Sequence, residues 1–139
     1  MAQNDYAAAV ADFTRSIELA PSVAAYNNRA NIYFSQQKME DAIADFTAGL
    51  KIKASVEAYV NRGVAYERTN RSALALADLH EAIKLKQDFG RAYVLRGLIL
   101  LKRGGQDVDA WKDLNKGFQL DPSLHDEFDP LIKQLRPTE

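Results

Sequence analysis

AYVNRGVAYE, residues 58–67, is an amphipathic stretch that the chain writes three times. The earlier copy is AYNNRANIYF at 25–34 and the later one is AYVLRGLILL at 92–101. A second phrase trails each copy and also precedes the first: AVADFTRSIELAPS from Ala9, AIADFTAGLKIKAS from Ala42, ALADLHEAIKLKQD from Ala75 and AWKDLNKGFQLDPS from Ala110. Tyr26, Tyr59 and Tyr93 step by 33 and 34 residues, and Phe13, Phe46, Leu79 and Leu114 by 33, 33 and 35. Two independent phrases holding one period are the mark of a repeat architecture, in which one supersecondary unit is stacked on copies of itself.

One unit is a helix hairpin. Ala25, Tyr26, Arg29, Ala30 and Tyr33 recur at three- and four-residue spacing and share one helix face. The polar break SQQK follows, and then Met39, Ala42, Ile43, Phe46, Gly49 and Leu50 form a second apolar stripe. So short a break makes the two helices antiparallel neighbours. Small residues stand where the pair must approach: Ala30 with Ala42, Gly63 with Ala75, Gly97 with Ala110. Large ones flank them: Tyr26 with Phe46, Tyr59 with Leu79, Tyr93 with Leu114. A lone hairpin cannot bury both its faces, whereas stacking the next one against it does, and the expected fold is an all-α solenoid.

Composition narrows the function. The chain has 139 residues, one domain's worth, and a formal net charge of −1 with both signs interspersed, unlike the basic excess of a nucleic-acid binder. It has no cysteine, hence no disulfide framework and no thiolate zinc site, and this fits a reducing cytoplasm. GLILLK at 97–102 is far too short to span a membrane, and MAQNDYAAAV lacks the regions of a signal peptide. His80 and His125 fall at unrelated repeat positions, and no phosphate loop, dinucleotide fingerprint or nucleophile motif occurs. RGG at 103–105 reads as a turn between helices. The expectation is a binding protein with no cofactor or metal, not an enzyme.

The repeated residues resemble the tetratricopeptide repeat family. That pattern has an aromatic residue, a small one four later and an aromatic three beyond. On the second helix come Ala, an aromatic four later and a small residue three beyond, with Pro closing the unit. Tyr59, Gly63, Tyr66, Ala75 and Ala82 show the fit, and Pro21 and Pro122 close two units; Leu79, Leu114, Ala54 and Gln87 depart from it. The resemblance implies a right-handed α-solenoid in a single domain. It divides into a half-repeat at 1–21, full repeats at 22–54, 55–88 and 89–122, and a capping helix and tail at 123–139. Asn4-Asp5-Tyr6 looks like the turn that opens a repeat's second helix, so 1–21 reads as half a hairpin. Its stripe of Val10, Phe13 and Ile17 is a route to a homo-oligomer. Ser123 and Asp126 have capping-box spacing, and Leu124, Phe128, Leu131, Ile132 and Leu135 form one stripe of the closing helix, which Asp129-Pro130 kinks or restarts.

Two patterns run through the repeats. Arg29, Arg62 and Arg96 each follow a tyrosine by three, and Asp12, Asp45, Asp78 and Asp113 each precede the large residue of a second helix. A charge at an apolar seam needs a partner, and the reading is a repeated ion pair, within a repeat or with the one before. The family also implies that first helices line a concave groove, through the positions one, two and five after the tyrosine. These are Asn27, Asn28 and Asn31, then Val60, Asn61 and Val64, then Val94, Leu95 and Leu98; Leu101 lies further along, with Arg91 and Lys102 flanking. Asparagine amides can hold a peptide backbone, and a patch of Val94, Leu95, Leu98 and Leu101 would take apolar anchors unless the C-terminal helix folds over it. The expected partner is a protein or peptide segment, with no nucleic acid and no membrane insertion, as for a scaffold or adaptor. One subgroup of the family clamps acidic C-terminal tails of heat-shock chaperones. Asn31 and Asn61 match it and Arg91 stands for a lysine, but Asn27 and Leu95 replace two of its cations. That co-chaperone reading, a self-association module and a helical-repeat RNA binder are the alternatives.

Overall fold

The structure is a computed structural model that describes residues 2–104 and 107–136. Among them are eight helices and no strand: α1 (Gln3–Leu19), α2 (Val23–Ser35), α3 (Met39–Ile52), α4 (Val56–Arg68), α5 (Ser72–Leu85), α6 (Gly90–Lys102), α7 (Asp107–Leu120) and α8 (Leu124–Leu135). The chain divides into two compact units, residues 1–78 and 79–139, with the division inside α5.

Side-chain caps and tight turns set the helix ends. Ser22 Oγ accepts from the Ala25 N–H at 3.1 Å and Ser55 Oγ from the Ala58 N–H at 3.2 Å, each satisfying one of the free donors that open a helix. The α2–α3 turn puts Gln37 at φ 63°, and the α4–α5 turn puts Asn70 at φ 61°. In the first, Lys38 N–H reaches the Tyr33 carbonyl at 2.9 Å and Gln37 N–H the Phe34 carbonyl at 3.0 Å. In the second, Arg71 reaches Tyr66 at 2.8 Å and Asn70 reaches Glu67 at 3.1 Å. Both are Schellman endings, which consume helix carbonyls and turn the chain back. Gly104 takes the same left-handed geometry, at φ 66°, after α6; the rest of the RGG turn, Gly105, lies outside the described residues.

In the unit of residues 1–78, α2 and α3 pack through Ala30 and Ala42, both fully buried, with Phe46 and Ala58 in the same cluster. Met39, Ile43 and Ala65 form a second cluster. The arginine question resolves here. Arg29 Nε and Nη2 donate to Asp45 Oδ2 and Oδ1 at 2.7 Å each, and Nη1 donates to Thr14 Oγ1 of α1 at 3.0 Å. Arg62 repeats this with Asp78 at 2.8 and 2.7 Å and with Thr47 at 3.0 Å. Each arginine thus pairs with the aspartate of its own hairpin and ties in the preceding second helix through a threonine. α1 begins at Gln3, so Asn4-Asp5-Tyr6 lies within its opening turns and not ahead of them.

In the unit of residues 79–139, α6 and α7 approach closely along two glycines of α6. A Cβ on Gly97 would stand 2.8 Å from the Ala110 carbonyl oxygen, and one on Gly90 2.7 Å from that of Gly117. Arg96 makes the third forked pair, with Asp113, at 2.7 and 2.8 Å. α8 adds Leu124, Phe128 and Ile132 to a core with Val94, Leu98, Leu114 and Phe118. Three expectations about α8 need correction. Ser123 makes no side-chain cap; its Oγ and N–H instead donate to Asp121 Oδ1 at 2.6 and 3.1 Å, so Asp121 organises the entry. Leu131 is 43% exposed and lies off the buried stripe, because the seam follows four-residue spacing from Leu124. α8 continues as one helix through Pro130, so the helix is not restarted there. Residues 137–139 of the tail lie outside the described residues.

Candidate peptide-binding face

The sequence-derived residues fall into two groups with different fates. In the unit of residues 1–78, α2 and α4 carry six of them. Asn28 and Asn31 are exposed, and Asn61 Nδ2 donates to Asn31 Oδ1 at 3.3 Å. Two first helices therefore present their amides side by side at the surface, with half-buried Val64 one turn beyond Asn61. At the same end of these helices, Arg68 stacks over Phe34 with 4.7 Å to the ring centroid, and its Nη1 donates to Gln37 Oε1 at 3.4 Å. Asn27 and Val60 do not join this surface. Val60 is 3% exposed, and Asn27 Oδ1 is enclosed without a hydrogen-bond partner, against Gly49. A Cβ at Gly49 would come within 2.9 Å of that oxygen, so a glycine is what lets the Asn27 amide lie against α3.

In the unit of residues 79–139 the expected open patch is covered. Val94 is fully buried and Leu98 is 6% exposed, both against α8, and Leu95 and Leu101 pack on the same cluster. Arg91 is engaged as well. Its Nη1 and Nη2 donate to Glu127 Oε2 and Oε1 of α8 at 2.7 Å each, and its guanidinium lies over the Phe128 ring at 5.2 Å. That fork holds the Glu127 carboxyl below the ordinary glutamate range, against the opposing effect of burial. Lys102 is exposed at the end of α6. Sequence reasoning missed Glu127; the signal was its place beside Phe128 on a helix whose Leu124, Phe128 and Ile132 already marked the docking seam.

The seam charges serve the scaffold. Hydrogen bonding to Asp45, Asp78 and Asp113 raises the pKa of Arg29, Arg62 and Arg96 in turn, more than desolvation lowers it. Tyr59 and Tyr66 bracket Arg62 at 5.8 and 5.5 Å, a cation–π environment that the tyrosine positions of the repeat provide. His125 lies on the surface, stacked on Phe118 at 3.8 Å, with Nδ1 3.2 Å from Asp129 Oδ1. No described helix is long and apolar enough to cross a membrane.

Small residues at the hairpin seams, a forked Arg–Asp pair in each hairpin and a period of 33–34 residues define a helix-hairpin repeat protein, the α-solenoid class of all-α folds. Two tetratricopeptide repeat family models match, one over residues 1–57 and the other over 56–89. The chain belongs to the tetratricopeptide repeat family. Comparison with curated protein sequences gives no match. Among solved structures, the crystal structure of MamA is similar at TM-score 0.77 and 21% identity, over 82% of this chain and 67% of that one. YrrB, described as a TPR protein with an unusual peptide-binding site, aligns at TM-score 0.75 and 24% identity over 90% of this chain and 65% of that one. The first TPR of Spaghetti (RPAP3), bound to the HSP90 peptide SRMEEVD, aligns at TM-score 0.69 and 26% identity over 80% and 88%. The chain spans about two thirds of the length of the MamA and YrrB chains.

Proposed function

We propose that this chain is a protein-interaction module, not an enzyme, that holds an extended or helical segment of a partner protein against the α2–α4 face of residues 1–78. The observation that carries this is the amide pair, Asn31 and Asn61, hydrogen-bonded to one another at the surface with Asn28 alongside. An asparagine offers both a donor and an acceptor, so a row of them can hold a peptide backbone whatever its side chains. Val64 and the Arg68-capped Phe34 ring supply apolar area at the end of that row. The peptide-bound and peptide-binding neighbours support a binding role of this kind. The interspersed charge and the net charge of −1 support a protein partner over a nucleic acid, and the cysteine-free sequence supports a cytoplasmic site of action.

The test is a peptide selected on the whole chain from a random display library, titrated by calorimetry against the parent and against Asn31→Ala/Asn61→Ala. A loss of about tenfold or more is expected, equivalent to about 1.4 kcal/mol. Equal affinity in the double variant, with circular dichroism unchanged, would place the binding elsewhere. The acidic-tail reading rests on Asn31 and Asn61 and on the peptide held by the Spaghetti neighbour. Against it, Arg91 is already forked to Glu127. Its test is the SRMEEVD peptide beside its C-terminal amide, which only a carboxylate clamp would tell apart.

A further inference from the structure

In the unit of residues 79–139, α6 and α7 frame a surface depression of about 530 Å³. Its inner side is the half-buried Tyr93 ring and the Arg96–Asp113 fork, and its outer side is the exposed face of α7, with Lys112, Asn115, Lys116 and Gln119 at helical spacing. Arg96 Nε and Nη2 are taken by Asp113, but Nη1 makes no hydrogen bond with a described residue. In the other two hairpins that nitrogen is engaged, Arg29 Nη1 by Thr14 and Arg62 Nη1 by Thr47. The register puts His80 where those threonines stand, and Arg96 is the most exposed of the three forked arginines.

The repeat itself does not require the lysines. Counted from the buried large residue of each second helix, Lys112 stands where Ala44 and Ala77 stand, and Lys116 where Ala48 and Glu81 stand. Neither lysine has an ion pair among the described residues, although Asp109 lies three residues before Lys112 on the same helix. Like charges four residues apart oppose helix formation, a cost that an anion held between them reverses. With Asp113 set against Arg96, Lys112 and Lys116, two positive charges remain at the depression. A carboxylate answers one of them. A phosphate monoester carries close to two negative charges at neutral pH and three acceptor oxygens, which match two ammonium groups, one open guanidinium nitrogen and the Asn115 amide. The α7 side of the depression is exposed, so it suits a phosphate presented on a chain and not a small molecule, which needs enclosure.

We propose that this depression receives a phosphorylated serine or threonine of a partner protein, with Lys112 and Lys116 holding the phosphate and Arg96 Nη1 completing the contact. It belongs to the unit that does not carry the amide row of α2 and α4, and it does not depend on that face. The probe is a fluorescein-labelled degenerate peptide pool centred on phosphoserine, followed by anisotropy against the whole chain, beside the same pool centred on serine and on glutamate. The phosphoserine pool should bind, the serine pool should not, and the glutamate pool should bind at least about tenfold more weakly. Lys112→Ala/Lys116→Ala should remove most of the binding without lowering the urea midpoint, since both side chains are exposed. Lys51→Ala/Lys53→Ala, an equal loss of exposed charge elsewhere, should leave it intact, as should Asn31→Ala/Asn61→Ala. The proposal is overturned if the phosphoserine pool does not bind, if the glutamate pool binds equally, or if Lys112→Ala/Lys116→Ala binds like the parent. It is overturned too if Lys51→Ala/Lys53→Ala loses as much, because diffuse charge alone would then be acting. Vesicles containing a phosphatidylinositol phosphate that bind through Lys112 and Lys116 where the phosphoserine pool does not would also overturn it, the phosphate then coming from a membrane.

Discussion

Replacing the four register-equivalent aspartates one at a time should give a graded series with its own internal control. Asp45 accepts two hydrogen bonds from Arg29 at 2.7 Å, in a pair whose side chains are 17% and 7% exposed. A hydrogen bond to a charged group contributes about 1.5–3 kcal/mol, and removing one partner of a buried pair costs about 3–5 kcal/mol because the other charge is stranded. Arg29 keeps Thr14 and some contact with water, so Asp45→Ala should cost about 3 kcal/mol, near the lower end of that range. Asp78→Ala should match it, since the Arg62 pair has the same geometry and exposures of 16% and 7%. Asp113→Ala should cost less, about 2 kcal/mol, because its pair is more open at 24% and 11%. Asp12→Ala, at an exposed site, should stay within about 0.5 kcal/mol of the parent. Urea unfolding followed by circular dichroism measures the series, with the slope checked for constancy. At this chain length about 3 kcal/mol corresponds to a fall in Tm of about 10 °C. The arginine pKa values are raised, so that contribution is complete below the ordinary arginine value and fades only as pH climbs through the higher folded one; the ranking should therefore hold across neutral pH. If Asp12→Ala and Asp45→Ala unfold at the same midpoint, the forked pairs do not hold the hairpins and the reasoning fails.

Phe128→Ala should cost about 3 kcal/mol or more, because a side chain 6% exposed leaves a cavity against Val94 and Leu98; a melt within a degree of the parent would mean that α8 is not part of the core. Gly97→Ala should cost about 2 kcal/mol, its Cβ meeting the Ala110 carbonyl oxygen at 2.8 Å and Leu114 Cγ at 2.9 Å, and an unchanged urea midpoint would show that the seam has room. The Arg91–Glu127 fork should loosen α8 in acid. Glu127 is lowered in the folded state by its fork with Arg91, so its contribution is present above the ordinary glutamate value and is lost as pH falls through the lower folded one. Hydrogen exchange of α8 amides in parent and Glu127→Gln should converge at that pH and differ at neutral pH; a parent whose α8 protection is flat across the range would count against the fork. Both groups are about half exposed, so the difference should also shrink with added salt.

The repeat was legible in the sequence because its cause is local and periodic. Ala30, Gly63 and Gly97 with Ala42, Ala75 and Ala110 mark where helices must touch, and a step of 33 or 34 residues carries that requirement along the chain. The hairpins and the closing helix follow from helical spacing alone. The arginine partners were not legible, since an arginine on a first helix lies within reach of two second helices and spacing is silent between them. The structure uses both neighbours in residues 1–78, the carboxylate of one and the threonine hydroxyl of the other. The fate of the apolar patch was likewise undecided. Val94, Leu95, Leu98 and Leu101 form one stripe whether a ligand or a helix lies on it, because hydrophobic spacing records that a face is to be covered and not by what. Only the packing of Leu124, Phe128 and Ile132 settled the cover, and only the reach of Arg91 across to α8 showed that Glu127 latches it. Asn27 and Val60 make the same point at the α2–α4 face: single positions in a helix turn inward or outward according to the partner beside them, here a Gly49 that leaves room for an amide. Sequence period determines which helices form and pair, while the identity of each covered surface depends on contacts between residues far apart in the chain, and those exist only once the helices have stacked.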